Sequence, residues 1–171
     1  MAALDEPLFR EFVASRQQSL LRTGYLLTGD WGNAEDLVQT ALTKTYLARH
    51  RIRDANAVEA YVRAAMVTTS TSWWRRRWHG ERPTAQLPEK PTGNDRTAAY
   101  DDRDELWQHV RRLPPRQRAV LVLRFYEDLS EAETARLLGV SVGTVKSQTS
   151  RSMQALRAAL GHSGITEESR P

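Results

Sequence analysis

Residues 130–151, SEAETARLLGVSVGTVKSQTSR, read as two short helices meeting at a sharp turn. Ser130 is a strong N-cap, and Glu133 three residues later completes a capping box. Gly139 ends the first helix, at a position where a left-handed backbone is cheap only for glycine. Ser141 caps the second helix. Ala135, Gly139 and Val145 stand where a helix-turn-helix needs a close approach, a turn and an inward anchor. On the second helix Val145, Thr149, Met153, Leu156 and Leu160 recur at helical spacing and are expected to face a core. The opposite stripe carries Lys146, Ser147, Ser150 and Arg151. Cations and hydroxyls in that arrangement suit phosphates and base edges in a major groove. A solvated surface hairpin is the alternative. The agreement of capping box, turn glycine and polar stripe argues against it.

Working outward, the helical pattern continues on both sides. Leu106–Leu113 reads as a short helix stopped by Pro114-Pro115, and Pro115 can open the next helix, about 116–127. Its apolar run, Ala119 to Leu123 with Phe125 and Tyr126, is expected to supply the C-terminal core. Residues 80–102 are rich in proline, glycine and polar side chains and read as an extended linker. Upstream, helices are expected over about 5–27, from Asn33 to about Arg49, and over about 57–78, with Gly29-Asp30 breaking the first. No β-hairpin signal occurs, so the fold class is all-α: two small helical domains, residues 1–82 and 103–171, joined by a flexible linker at 83–102. Residues 161–171 read as a short disordered tail.

Two polar features stand out in the N-terminal block. Asp36, Gln39 and Thr43, at i, i+3 and i+7, form a stripe away from Val38, Ala41, Leu42, Thr45 and Tyr46. The third helix ends in Thr68, Thr69, Ser70, Thr71, Ser72, then Trp73, Trp74, Arg75, Arg76, Arg77 and Trp78. Arginines neutralise phosphates, and exposed indoles stack on unpaired bases at roughly 1–3 kcal/mol each. Val62, Met66, Thr69 and Trp73 share one face, so Trp73 is equally suited to a core. The hydroxyls can also simply return hydrogen bonds to the preceding turn.

Composition excludes several classes. With no cysteine there is neither a disulfide framework nor a thiolate metal site, and the four histidines lack ligand spacing. No apolar run approaches the ~18–20 residues that span a bilayer, and a cytoplasmic location is expected. There is no Ser/His/Asp set, no paired carboxylates and no phosphate-binding glycine loop, so no enzyme activity and no cofactor are expected. The net charge of +4 is split between two mildly basic blocks and an acidic connector, which weakly favours a polyanionic partner.

These residues carry a resemblance over nearly all of 5–160. The chain resembles a bacterial extracytoplasmic-function sigma factor, the minimal two-domain promoter-recognition subunit of RNA polymerase. The strings SWWRRR and GTVKSQTSR point to the actinobacterial sigma-E-like subgroup. AEDLVQTALTKTY resembles the helix that grips the clamp coiled coil of the polymerase largest subunit, which implies polymerase contacts at Asp36, Gln39 and Thr43. AYVRAAMVTTSTSWWRRRW resembles the helix that captures and melts the −10 element, which implies Thr68, Thr69, Ser72, Trp73, Trp74, Arg75, Arg76 and Arg77 as its DNA-binding set. LPPRQRAVLVLRFYEDLSEAETARLLGVSVGTVKSQTSR resembles the −35-binding domain. There Thr144, Lys146, Ser147, Gln148, Ser150 and Arg151 are the DNA-binding set. The resemblance further implies contact with the flap of the second-largest polymerase subunit, and an anti-sigma factor as an additional partner. The family commonly has Asn-Thr where this chain has Thr68-Thr69. Threonine lacks the amide's paired donor and acceptor, so −10 base choice or melting efficiency is expected to differ here. The alternative is a stand-alone helix-turn-helix regulator that binds an operator without polymerase.

Overall fold

A computed structural model describes residues 4–78 and 105–167, with side-chain surroundings at 4–76 and 106–161. The chain divides into two compact units, Met1–Pro88 and Glu89–Pro171. Among the described residues every regular element is helical, as the absence of strand signals predicts. The expected linker at 83–102 lies outside them.

The first unit packs α1 (Glu6–Thr28), α2 (Trp31–Leu47) and α3 (Val58–Trp78). Asp5 caps α1 by accepting from Leu8 N–H at 2.9 Å, and Gly29 ends it at φ 76°. Asp30 caps α2 by accepting from Asn33 N–H at 2.8 Å, so α2 starts at Trp31, before the expected Asn33. Two single 3₁₀ turns, Arg49–Arg51 and Ala55–Ala57, then lead into α3. The core is built from Leu37, Val38 and Ala41 of α2 against Val62, Met66 and Val67 of α3, with Leu20 and Leu26 of α1. Trp31 stacks on Tyr25 with ring centroids 4.3 Å apart.

α1 and α2 approach closely at Gly24. A Cβ there would stand 3.1 Å from the Ala34 carbonyl oxygen and 3.3 Å from its Cα. The obstacle is helix backbone, which cannot swing aside. Gly24→Ala would gain about 1 kcal/mol of helix propensity yet cost about 1–3 kcal/mol by overpacking. Net destabilisation is expected, read as a lower urea midpoint at unchanged slope. A raised midpoint would show that the two helices can part without loss.

The second unit contains α4 (Glu105–Arg112), α5 (Pro115–Leu121), one π-helical turn (Val122–Tyr126), α6 (Glu131–Leu138) and α7 (Val142–Glu167). Val110, Leu113, Leu121 and Leu156 form one apolar cluster, with Trp107 and Met153 against it. Val120, Ala135 and Val145 form another. α5 thus contributes to both. Arg118 of α5 donates to the Arg111 carbonyl at 3.1 Å; burial first, and then the charge of Arg111, lower its pKa from the ordinary value.

Three expectations are corrected here. The helix expected at 116–127 changes to a π turn at Val122, which rotates its end outward: Phe125 is 60% and Tyr126 50% exposed, so neither is core. Leu160 is exposed as well; Leu156 is the last buried residue of α7 among those described. The tail expected from Gly161 is helical through Glu167. Extending an existing helix adds a hydrogen bond per residue, which tolerates a glycine costing about 1 kcal/mol.

Candidate nucleic-acid interface

The helix-turn-helix is built locally. Ser130 Oγ accepts from Glu133 N–H at 3.1 Å while Glu133 Oε2 accepts from Ser130 N–H at 2.9 Å, the reciprocal capping box that the spacing predicts. Gly139 adopts φ 67°, and Val140 N–H reaches back to the Ala135 carbonyl at 3.0 Å. Ser141 Oγ then accepts from Thr144 N–H at 3.1 Å and starts α7. Val145 is fully buried, and about two turns further along, so is Ser152. Ser152 donates to the Gln148 carbonyl at 2.6 Å and lies 3.5 Å from the Gln117 carbonyl. A small side chain at that position lets α7 lie close to α5, a role that apolar periodicity alone does not reveal.

With Val145, Ser152 and Leu156 turned inward, the other side of α7 is open. Lys146, Ser147, Ser150 and Arg151 are exposed, and Thr144 and Gln148 are half-buried at its margin. Ser147 spends its donor on the Thr144 carbonyl at 3.1 Å, leaving its oxygen as an acceptor. Lys146 Nζ stands 3.8 Å from Glu131 Oε2 on α6. The pair is solvent-accessible and weak, at about 0–1 kcal/mol, so Lys146 can leave it for a phosphate at little cost.

On α3, Thr68, Ser72 and Arg75 occur at i, i+4 and i+7 and are exposed, with Arg76 beside them. Tyr61, seven residues before Thr68, is exposed on the same line and extends the stripe by an aromatic ring. The sequence reading omits it; helical spacing was the available signal. Thr69 belongs elsewhere. It is 3% exposed, on the inward face with Met66, and its Oγ1 accepts from Lys44 Nζ at 2.9 Å. It stands behind the polar stripe, not on it. Trp73 and Trp74 are half-buried, between a core indole and an open stacking platform. Thr68 Oγ1 donates to the Ala64 carbonyl at 3.0 Å and Thr71 Oγ1 to that of Val67 at 2.8 Å, the local bonding common for helical hydroxyls. The side chain of Arg77 lies outside the described residues.

On α2, Asp36, Gln39 and Thr43 are all exposed, on the side opposite Leu37, Val38 and Ala41. Thr43 Oγ1 donates to the Gln39 carbonyl at 2.8 Å. The three make one polar stripe, as their spacing predicts. Among the described residues no group of His, Asp or Glu could hold a metal ion, and no helix is long and apolar enough to cross a membrane.

A capped helix-turn-helix with an open basic stripe, on a chain whose other unit carries a second hydroxyl-, aromatic- and arginine-bearing helix, defines an all-α DNA-binding protein. The families described as Sigma-70 region 2 and Sigma-70, region 4 match residues 12–80 and 103–156, one in each unit. The RNA polymerase sigma-E factor of Streptomyces coelicolor is 45% identical over 152 residues, covering 89% of this chain and 85% of that protein. The ECF RNA polymerase sigma factor SigL of Mycobacterium tuberculosis is 31% identical over 170 residues, covering 96% of each. A solved structure of the sigma factor RpoE from Bartonella quintana, in complex with the anti-sigma factor NepR, superposes with a TM-score of 0.64 at 20% identity. It covers 90% of this chain and 96% of that one, a likeness of fold. The chain belongs to the extracytoplasmic-function family of RNA polymerase sigma factors.

Proposed function

We propose that this chain docks on core RNA polymerase through Asp36, Gln39 and Thr43, and that its two units read the two promoter elements. In the −35 element, α7 enters the major groove and presents Lys146, Ser147, Ser150 and Arg151, flanked by Thr144 and Gln148. At the −10 element, α3 meets DNA with Thr68, Ser72, Trp73, Trp74 and Arg75–Arg77, while Thr69 supports that helix from behind. Residues 1–82 form the polymerase- and −10-binding domain, 83–102 the linker, and 103–171 the −35-binding domain. Polymerase supplies the chemistry; this chain is not an enzyme and acts in the cytoplasm. An anti-sigma factor and the flap of the second-largest subunit are further partners. The observation that carries the reading is the open basic stripe of α7 on a correctly capped helix-turn-helix, in a chain of this family. Run-off transcription by purified core polymerase on a cognate promoter, with and without this protein, tests it. Promoter-specific transcripts that require the protein are expected. Operator binding by the protein alone, with no effect on polymerase, would sink it.

Trp74 gives a sharper test of the −10 assignment. Its half-buried position predicts that Trp74→Ala costs well under the about 3–5 kcal/mol of a fully buried indole, so the first unit stays folded. Permanganate reactivity of −10 thymines should fall several-fold, as expected on losing roughly 1–3 kcal/mol of stacking. An unfolded variant would make Trp74 a core residue. A folded one with wild-type thymine reactivity would remove it from the interface.

A further inference from the structure

The side-chain hydrogen bond from Lys44 to Thr69 joins residues 25 positions apart. It connects α2, the helix proposed to dock on polymerase, to α3, the helix proposed to open DNA. Lys44 follows Thr43 of the docking stripe, and its side chain is exposed over much of its length. Thr69 adjoins exposed Thr68 but is turned about 100° from it around the helix, into the contact with α2.

Where the bond falls along α3 matters. Val62, Met66 and Val67 anchor the helix in the core, and Thr69 is the last buried side chain before the Trp/Arg end. Beyond it α3 continues with half-buried Trp73 and Trp74 and exposed Arg75 and Arg76. At about 1.5 Å per residue, Arg75 lies about 9 Å past the last anchor. A roll of the helix at Thr69 therefore turns its DNA-facing end through the same angle, and a tilt there moves that end further still. An apolar contact there would resist separation of the helices but not rotation. A charged donor on a hydroxyl acceptor is directional and resists both. Among the described residues no carboxylate forms an ion pair with Lys44.

We propose that Lys44 is a positioning residue, whose hydrogen bond to Thr69 sets the roll of α3 and hence the presentation of Thr68, Ser72 and Arg75 to the −10 strand. The inference rests on the function proposed above. It adds a physical link between the polymerase-facing helix and the DNA-opening helix.

The test uses holoenzyme reconstituted from core polymerase and the full chain on a duplex promoter. Lys44→Met, Lys44→Arg, Thr69→Val and the double variant Lys44→Met/Thr69→Val are compared for core affinity, melting temperature and thymine reactivity. Lys44→Met and Thr69→Val should each lower open-complex formation by about three- to tenfold, less than the full worth of a hydrogen bond to a charged group because this one is only part-buried. The double variant should be no worse than either single one, because both remove the same bond. Lys44→Arg should retain most activity, and core affinity should not change. Additive losses overturn the proposal. So does a defective Lys44→Met beside an active Thr69→Val, which would make Lys44 a direct DNA contact. Loss of core affinity in Lys44→Met would make it a polymerase contact and is equally fatal. Wild-type opening by Lys44→Met overturns this proposal alone. Failure of the wild-type protein to open any promoter overturns the proposed function as well.

Discussion

Asp36→Arg is expected to abolish co-purification with core RNA polymerase while helix content and melting temperature stay near wild type. The residue is exposed on α2, and its neighbours Leu37 and Val38, which hold the helix in the core, are untouched. Asp36 is near the N-terminal end of α2, so a cation there costs the helix a few tenths of a kcal/mol through its dipole. The effect at the interface is much larger. Truncating one partner of a buried charge pair costs about 2–5 kcal/mol, and reversal adds repulsion to that loss. An affinity decrease of at least about thirtyfold follows from the lower figure. Gln39→Ala should act in the same direction but more weakly, since it removes hydrogen bonds without reversing a charge. Wild-type core affinity in Asp36→Arg would falsify the docking surface and favour a regulator that works without polymerase.

Much of this architecture is legible in the sequence because its determinants are local. Ser130 with Glu133, and Ser141, specify a turn between two helices through side chains that bond within three residues of themselves, and Gly139 does so through its left-handed backbone. Asp36, Gln39 and Thr43 declare their shared face by spacing alone. What escapes is set by contacts between elements. The outward turn of Phe125 and Tyr126 comes from a π turn that displaces the helical register, and Leu160 is exposed although it keeps the apolar spacing of Val145 and Leu156. The close approach of Gly24 to Ala34 and the bond from Lys44 to Thr69 depend on how α1, α2 and α3 pack. Thr69 is the instructive case. Its place on a face with Val62 and Met66 is readable from spacing, whereas membership of a hydroxyl run suggests DNA contact. Its burial and its bond to Lys44 follow the helical phase.

The double substitution Lys146→Ala/Arg151→Ala should remove −35-dependent transcription and leave core affinity intact. Neither side chain supports the fold. Val145 and Ser152, the residues immediately before Lys146 and after Arg151, are fully buried and hold α7 without them. Breaking the Lys146–Glu131 pair costs at most about 1 kcal/mol, because it is solvent-accessible. The loss at DNA depends on what each cation touches. A bidentate contact from Arg151 to a guanine edge is worth about 1–3 kcal/mol, and its loss would relax selectivity at one base pair. A phosphate contact from Lys146 would weaken all sequences alike and reduce the salt slope by about one. Together the two changes should lower promoter affinity by about two orders of magnitude at moderate salt. The single variants separate the roles. Arg151→Ala should alter the base-preference profile, while Lys146→Ala should preserve the profile and flatten the salt dependence. Unchanged promoter activity in the double variant would take α7 out of the mechanism. A uniform loss with an unchanged profile in both single variants would leave base reading to Ser147, Gln148 and Ser150, with the cations serving only to hold the helix on the phosphates.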